Sequence, residues 1–208
     1  MGSKWQVEKK KDPYYKRAKG EDYRSRASFK LLQLDKKYKI IKKGSAVLDL
    51  GATPGGWSQI ALEKVGEEGI VLGVDLQKIK PFPEKNFHFI RGDFTKKEVQ
   101  EKMIDIMDGK ADVIISDASP SLSGIKDVDH LRSIDLANSV ISIADNILEN
   151  NGNILIKVFQ GEEFKNLIEE LRKKFKVLKT TKPSSSRKKS SEMYVIGLKY
   201  KQWLNKSD

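Results

Sequence analysis

A lysine inside an apolar strand and an aspartate at the end of another strand are this chain's best candidates for acid–base chemistry. Lys157 lies in the run NILIKVFQG, between Ile156 and Val158. An ammonium group on a buried strand is costly unless it is paired, so we expect Lys157 to have a partner or a function rather than a solvated position. Asp117 ends the predicted strand ADVIISD, and doubly wound sheets bind ligands beyond the carboxyl ends of their strands. The sequence therefore predicts a site that combines an amine with a carboxylate at the end of a sheet.

A glycine-rich turn between a predicted strand and a predicted helix indicates a nucleotide site. The strand ends near Asp49, and Gly51, Gly55 and Gly56 follow before the helix. Glycines let the backbone approach a ligand closely, and the N-terminus of a helix offers free N–H groups. Asp75 ends the next strand, where a carboxylate can accept hydrogen bonds from both hydroxyls of an adenosine ribose.

The spacing of this turn favours one nucleotide ligand over another. The glycines do not follow the G-x-G-x-x-G pattern of dinucleotide sites, and Pro54 interrupts the place where a pyrophosphate loop tightens. An adenosine ligand without a diphosphate is therefore preferred. Asp93 and Phe94, after the third predicted strand, are candidate contacts of the adenine amino group and ring. The alternatives are that Asp93, or equally Thr95, caps the next helix, and that Trp57 is a packing residue.

Strands and helices alternate from residue 45 onward, which predicts parallel βαβ units in a doubly wound α/β sheet. The predicted strands are 45–50, 70–75, 87–90, 111–117, 153–159, 175–180 and 193–200, and the predicted helices are 25–39, 57–65, 96–107, 130–149 and 163–174. No helix separates the last two strands, so we expect that pair to be antiparallel. The expected organisation is a basic arm over residues 1–24, one domain over 25–202 and a tail over 203–208.

Composition limits the class of protein. The chain has 208 residues, 38% apolar and 33% charged, which suits a single soluble α/β domain. The sequence contains no cysteine, which excludes disulfides and thiolate catalysis, and with His88 and His130 alone a metal site is not expected. No apolar run reaches the roughly 20 residues of a membrane span, and MGSKWQVEKKK contains no signal core. A cytoplasmic monomer is the default expectation.

The net charge of +11 indicates a polyanionic partner such as nucleic acid. Basic residues concentrate in the arm and in residues 171–191, a stretch that contains no acid. Because these segments flank the candidate site, we predict an RNA-binding face rather than an ordinary solvated surface. Its candidate residues are Lys16, Arg17, Arg24, Arg26, Arg187, Lys188 and Lys189.

Several segments, taken together and in order, resemble the FtsJ/RrmJ family of S-adenosylmethionine-dependent RNA ribose 2′-O-methyltransferases. They are SRASFKL (25–31), DLGATPGGWSQ (49–59), GVDL (73–76), GDF (92–94), SDASPSLSG (116–124), KVFQGEEF (157–164) and KPSSSRKKSSEMYVIG (182–197). The resemblance runs from about Tyr14 to Lys199. It implies a Rossmann-like class I methyltransferase fold, with a seven-stranded, mostly parallel sheet, one antiparallel strand and helices on both faces.

The resemblance also implies roles for particular residues, with S-adenosyl-L-methionine as the cofactor. The implied catalytic set is Lys30, Asp117, Lys157 and Glu192. The residues that match the family's cofactor contacts are Gly55, Trp57, Asp75, Asp93 and Asp117, and those added by the reasoning above are Gly51, Gly56 and Phe94. We hypothesise that Lys157, uncharged when it acts, removes the proton of a ribose 2′-hydroxyl, and that the catalytic set titrates as a coupled group.

Within the family, GGWSQ (55–59), DHLRSIDLA (129–137) and KVFQGEEF (157–164) look most like the ribosomal branch. Its members methylate a uridine in the A-loop of large-subunit ribosomal RNA, which implies ribosomal RNA or the large ribosomal subunit as the partner. Other RNA targets left open are a transfer RNA anticodon loop and an mRNA cap. The remaining alternatives are a non-catalytic ribosome-assembly protein and, disfavoured by the loop spacing, a nicotinamide-dependent oxidoreductase.

Overall fold

A computed structural model of the chain describes residues 13–187 and 190–201, which form six helices and seven strands. The helices are α1 Pro13–Gly20, α2 Ser28–Tyr38, α3 Gly56–Val65, α4 Lys97–Ile106, α5 Lys126–Ile147 and α6 Phe164–Lys174. The strands are β1 Ala46–Leu50, β2 Ile70–Asp75, β3 Phe87–Arg91, β4 Ala111–Ser116, β5 Leu148–Phe159, β6 Phe175–Thr181 and β7 Glu192–Tyr200. None of the described helices is long and apolar enough to cross a membrane.

The seven strands form one sheet in the order β3-β2-β1-β4-β5-β7-β6. The strands from β3 through β5 pair in parallel, whereas β7 is antiparallel to both of its neighbours. Together with the helices on its faces, this sheet confirms the predicted Rossmann-like architecture, including the antiparallel final pair.

Helices cover both faces of the sheet because its central strands are apolar on both faces. Successive residues of β1, Val47 and Leu48, are both fully buried. Val47 belongs to the core under α2 and α3, with Leu31 and Ile60. Leu48 belongs to the core under α4, α5 and α6, with Met103. Since both faces are filled, a ligand reaches the sheet at the ends of its strands.

A crevice forms where the strand order reverses, between β1 and β4. Gly51 follows β1 and approaches Ala118, which lies just beyond β4. The φ angle of Gly51 is +81°, and a Cβ atom built on it would lie 2.8 Å from both Cα and Cβ of Ala118. Glycine satisfies both this backbone conformation and this close approach. The glycine-rich turn therefore opens at the switch point of the sheet.

The largest differences from the predicted boundaries lie at the ends of α5. The helix begins at Lys126 rather than at residue 130. Its first turn contains acidic side chains, which interact favourably with the positive end of the helix dipole. β5 begins at Leu148, directly after α5, rather than at residue 153. The intervening ENNG stretch has the composition of a turn, and Asn151 does have a positive φ angle of 66°, but β5 includes it.

Part of the predicted basic arm is helical and packs against the domain. α1 buries Ala18, and the ring centroid of Tyr14 lies 5.6 Å from that of Phe29 in α2. Residues 1–12 and 202–208 lie outside the described residues. The division into arm, domain and tail stays a prediction.

Candidate active site

Lys157 and Asp117 form an ion pair at the carboxyl ends of adjacent strands. β4 and β5 pair in parallel as far as Ser116 and Ile156, so the next residue of each strand lies at the same end of the sheet. The Nζ atom of Lys157 lies 3.2 Å from Oδ1 of Asp117 and donates a hydrogen bond to its backbone carbonyl at 2.5 Å. The two side chains are 9% and 17% exposed. The lysine of the apolar strand is therefore paired, as its burial requires.

Lys30 and Glu192 form a second ion pair beside the first. The Nζ atom of Lys30, on α2, lies 2.9 Å from Oε1 and 3.0 Å from Oε2 of Glu192, the first residue of β7. These side chains are 10% and 13% exposed. The charge of Lys30 also acts on the carboxylate of Asp117. The residues of the implied catalytic set therefore converge on one place, although they are far apart in the sequence.

Tyr194 connects the two ion pairs, and the sequence analysis did not predict it. It lies opposite Lys157 in the β5–β7 ladder and is fully buried. Its hydroxyl donates a hydrogen bond to Oδ1 of Asp117 at 2.8 Å, and Nζ of Lys30 lies 5.5 Å from its ring centroid. The spacing of Glu192 and Tyr194 by two residues, which puts both on one face of a strand, was an available signal. The register of β7 against β5, which places Tyr194 opposite Lys157, could not be predicted from the sequence.

Electrostatics fix the protonation states of two members of this cluster. Burial raises the pKa of Asp117, but the charges of Lys157 and Lys30 and the hydrogen bond from Tyr194 outweigh it, so the pKa is lowered. Burial raises the pKa of Tyr194 well above its ordinary value, and the neighbouring carboxylates add to the effect. Near neutral pH, Asp117 is ionised and Tyr194 is a neutral donor.

A cleft of about 370 Å³ adjoins the cluster at the switch point. Its volume lies in the range of small-molecule sites. Five of the predicted cofactor contacts line it: Gly51, Asp75, Asp93, Phe94 and Asp117. Because three of these are carboxylic acids, the cleft favours a ligand that carries positive charge. Among residues 13–187 and 190–201, no group of three or more His, Asp or Glu side chains is placed to hold a metal ion.

The carboxylates of Asp75 and Asp93 are oriented by hydrogen bonds to nearby loops. Asp75 accepts one bond on each oxygen, from the N–H groups of Thr53 at 2.9 Å and Gln77 at 2.8 Å. Asp93 accepts bonds from the N–H group and hydroxyl of Thr95 at 2.9 and 2.7 Å, and these lower the pKa of Asp93. Neither Asp93 nor Thr95 is the N-cap residue of α4. A carboxylate has about four acceptor sites, so both retain capacity for a ligand.

Gly55, Gly56 and Trp57 are not among the residues that line the cleft. Gly55, with a φ angle of +105°, is the N-cap of α3. The indole N–H of Trp57 donates to the backbone carbonyl of Ala27 at 2.9 Å, and its ring lies 6.0 Å from that of Tyr194. The side chain of Trp57 therefore packs between α3, the start of α2 and the cluster. A cofactor contact by these three residues stays a prediction.

Asp49 is a fully buried carboxyl group near the end of β1. Its Oδ2 accepts a hydrogen bond from the hydroxyl of Ser58 at 2.6 Å, while its Oδ1 has no hydrogen-bond partner among the described residues. Burial raises the pKa of Asp49 to about 7, the hydrogen bond opposes this, and the charges of Asp117 and Asp75 add to it. The proton affinity of Asp49 thus depends on the charges around the cleft.

The residues predicted to bind RNA differ in their surroundings. The guanidinium of Arg24 donates to the backbone carbonyls of residues 80 and 81, and that of Arg26 donates to the carbonyl of Ser185 at 2.5 Å. These two arginines therefore have structural contacts within the chain. Those with exposed side chains are Lys16, Arg17 and Arg187, while Lys188 and Lys189 lie outside the described residues.

Comparison with known sequences identifies close relatives. A family model described as FtsJ-like methyltransferase matches residues 23–200. A protein of Methanobrevibacter smithii named ribosomal RNA large subunit methyltransferase E is 69% identical over 206 residues, which cover 99% of this chain and 98% of the relative. A protein of the same name from Methanothermobacter thermautotrophicus is 64% identical over 201 residues, with coverages of 97% and 95%.

Solved structures agree with the fold. A ribosomal RNA methyltransferase structure from Plasmodium falciparum has a TM-score of 0.76 and 34% identity, covering 86% of this chain and 98% of its own. Fibrillarin from Aeropyrum pernix, in complex with natively bound S-adenosyl-L-methionine, has a TM-score of 0.54 and 16% identity, with coverages of 76% and 68%, and shares the fold alone. Because the match over residues 23–200 includes every strand of the sheet, the chain belongs to the FtsJ-like methyltransferase family.

Proposed function

We propose that this protein transfers a methyl group from S-adenosylmethionine to the 2′-hydroxyl of a uridine in the A-loop of large-subunit ribosomal RNA. The observation that carries the proposal is the convergence of the lysines of both ion pairs on Asp117, a carboxylate that lines an acidic cleft. The relatives named ribosomal RNA large subunit methyltransferase E support this class of RNA. The uridine, the A-loop and the assembled subunit as substrate rest on the resemblance to the ribosomal branch.

The cleft suits S-adenosylmethionine in charge and in the placement of its polar groups. Asp75, at the end of β2, keeps acceptor sites for a ribose diol, and Asp93 and Phe94 lie together for an adenine ring. The carboxylates complement a positively charged sulfonium. When bound, the cofactor supplies an electrophilic methyl group, so the chain has to supply position and a proton acceptor.

Lys157 is the candidate proton acceptor. Asp117 holds the Nζ atom of Lys157 at the rim of the cleft through its side chain and its carbonyl. An uncharged Lys157 in this position removes the proton from a ribose hydroxyl that enters there, and a positioned base of this kind typically contributes about 10²–10⁴-fold. Lys30, held by Glu192, supplies positive charge near the oxygen as it becomes negative.

The exposed basic residues provide a surface for the RNA backbone next to this cluster. Arg187 lies in the β6–β7 loop, which is described over residues 182–187 and 190–191 and leads into Glu192. Gln33 of α2 holds this loop, because its Oε1 accepts hydrogen bonds from the Ser184 hydroxyl at 3.1 Å and from the N–H and hydroxyl of Ser185, both at 3.2 Å. Phosphates bound at the loop would lie close to the Lys30–Glu192 pair.

Isotope-labelled S-adenosylmethionine, incubated with large ribosomal subunits or free ribosomal RNA from a strain lacking this protein, tests the proposal. We expect mass spectrometry to find label on one A-loop uridine ribose, more strongly in subunits than in free RNA. We further propose that the protein acts as a monomer in the cytoplasm. In parallel reactions with transfer RNA or capped mRNA, label on an anticodon loop or a cap, with none on ribosomal RNA, would assign a different RNA substrate. RNA binding without any label, in the presence of bound cofactor, would indicate a non-catalytic assembly protein. Binding of NAD instead of S-adenosylmethionine would contradict the cofactor.

A further inference from the structure

Four polar side chains in the N-terminal part of α5 bind neighbouring segments of the chain, and the proposed mechanism does not use them. They are Asp129, His130, Arg132 and Ser133, and we call them the α5 brace. Residues three apart are neighbours on a helix surface. Asp129 and Arg132 therefore form one pair, and His130 and Ser133 form another pair that faces in a different direction.

The first pair holds the loop that leaves the carboxyl end of β4. Asp129 accepts hydrogen bonds from the N–H and hydroxyl of Ser123 at 2.7 and 2.8 Å, and from the N–H of Gly124 at 3.2 Å. Arg132 donates to the backbone carbonyl of Ser121 at 3.0 Å. This loop begins with Asp117, and the first pair holds it at residues 121, 123 and 124, from four to seven residues beyond that carboxylate.

The second pair holds the carboxyl end of β5. The ladder between β4 and β5 ends at Ile156, so at Phe159 no strand runs beside β5 on that side. The hydroxyl of Ser133 accepts from the N–H of Phe159 at 3.1 Å, and Nδ1 of His130 is 2.9 Å from its carbonyl oxygen. Two side chains of a helix thus take the place of the missing strand and satisfy both backbone groups.

The imidazole of His130 also holds the segment after β5. Its Nε2 accepts a hydrogen bond from the N–H of Glu163 at 3.0 Å, so the ring proton lies on Nδ1 and is donated to Phe159. The ring packs on Gly161, where a Cβ atom would lie 2.3 Å from Cγ of His130. The glycine of KVFQGEEF therefore accommodates this ring.

We propose that the α5 brace keeps Asp117 and Lys157 at the separation that proton removal requires. Each pair of the brace secures one of the two segments that leave these strands, and Lys157 lies two residues before Phe159. The brace residues are positioning residues, and their role in turnover rests on the proposed function. A misplacement of about 1 Å can cost about 10²-fold in rate, so a small relaxation at the strand ends has a measurable effect.

Two amide substitutions at His130 separate its contacts. In His130→Asn the amide nitrogen is attached to Cγ as Nδ1 is, so it keeps the bond to Phe159 and loses the one to Glu163. In His130→Gln the amide oxygen reaches the position of Nε2, so it keeps the bond to Glu163 and loses the one to Phe159. We expect kcat to fall about threefold in His130→Asn and roughly 10- to 100-fold in His130→Gln and His130→Ala, with KM for S-adenosylmethionine within about twofold of wild type. The control Ile147→Val, in the core at the other end of α5, should lower Tm and leave kcat unchanged.

A measurement that does not depend on methyl transfer keeps this test separate from the test of the proposed function. In the wild type, Lys157 contributes to the lowered pKa of Asp117. When the end of β5 is released in His130→Gln or His130→Ala, NMR titration of the Asp117 carboxyl should show a higher pKa, whereas Ile147→Val should show none of this change. A wild-type protein that methylates no RNA would remove the proposed function, and the titration would still decide the brace. An unchanged pKa of Asp117 in both His130→Gln and His130→Ala would overturn the proposed role of the brace. A raised pKa of Asp117 together with kcat within threefold of wild type in these variants would overturn it as well.

Gly161→Ala provides a second test of the same contact. We expect it to lower kcat in the wild-type background because the added methyl group displaces the imidazole of His130. In the His130→Ala background the methyl group should have no further effect. Equal losses in both backgrounds would show that the contact is not the route by which Gly161 acts.

Discussion

The two ion pairs of the site are equally buried but are held in different ways. Lys157 and Asp117 extend from neighbouring strands at the centre of the sheet, and the ladder and the α5 brace hold both backbones. Lys30 comes from a helix outside the sheet, and Glu192 follows the basic β6–β7 loop. The sheet and the brace therefore hold both residues of the first pair, whereas the second pair joins the start of β7 to α2 beside the β6–β7 loop.

This difference suggests a division of labour within the site. Proton removal needs a base at a fixed distance from the hydroxyl, which the pair on the sheet provides. Stabilisation of the developing negative charge needs a cation whose position matches the bound RNA, and the pair next to the β6–β7 loop can respond to that RNA. The following variants test the division, from the largest expected effect to the smallest.

Removal of the central amine should have the largest effect. Lys157→Ala should lower the single-turnover rate of methyl transfer by about 10²–10⁴-fold or more, because the positioned base is lost. Affinity for S-adenosylmethionine, measured by calorimetry, should stay within about threefold of wild type. Lys102→Ala, at an exposed position of α4, is the matched control. A rate within a few-fold of wild type would remove Lys157 from the role of base and with it the contrast between the pairs.

Removal of either member of the outer pair should have a smaller effect. We expect Lys30→Ala to slow transfer by roughly 10- to 100-fold, since one charge stabilises the transition state without performing the proton transfer. Glu192→Ala should cost less, and the double variant should cost less than the sum of the single ones because the residues form one contact. Additive losses in this double-mutant cycle, measured on RNA substrate, would show that the outer pair does not act as a unit.

A substitution in the cleft should separate cofactor binding from chemistry. Asp75→Ala should weaken S-adenosylmethionine binding by about tenfold or more, because a carboxyl acceptor for the ribose hydroxyls is lost. The rate at saturating cofactor should change much less than in Lys157→Ala. If Asp75→Ala instead left the affinity unchanged and lowered only the rate, the adenosine would have to bind elsewhere.

The last of these variants changes stability rather than rate. The pKa of Asp49 is raised from 3.8 to about 7 in the folded protein, so between these pH values the folded state binds more protons than the unfolded state. The contribution of Asp49 to the free energy of unfolding therefore falls as pH rises through that window, by an amount on the order of a few kcal/mol. Asp49→Asn should remove this slope between urea denaturation curves at pH 5 and pH 8. Parallel pH dependence in variant and wild type would show that Asp49 is not the group concerned.

Much of the fold followed from local patterns. Short apolar runs predicted all seven strands in their order along the chain. The absence of a predicted helix between the last two strands correctly indicated that this pair is antiparallel. The cost of burying an amine predicted that Lys157 is paired. Each of these inferences depends on a segment and its immediate neighbours.

The remaining features depend on contacts between distant segments. The hydrogen bond from Tyr194 to Asp117 requires the register of β7 against β5, and the contacts of His130 require the place where β4 ends beside β5. The packing of α1 on α2 depends on the aromatic contact between Tyr14 and Phe29. Neither periodicity nor composition contains this information, apart from the two-residue spacing that puts Tyr194 on the same face of its strand as Glu192.

A crystal structure with an unreactive analogue of S-adenosylmethionine and a bound RNA fragment tests the central claim most directly. We expect the adenosine in the cleft between Gly51 and Asp93, and one ribose 2′-oxygen about 3 Å from Nζ of Lys157. The methyl-bearing position of the analogue should face that same oxygen. An analogue bound outside the cleft, or a ribose oxygen that approaches neither Lys157 nor the analogue, would contradict the account.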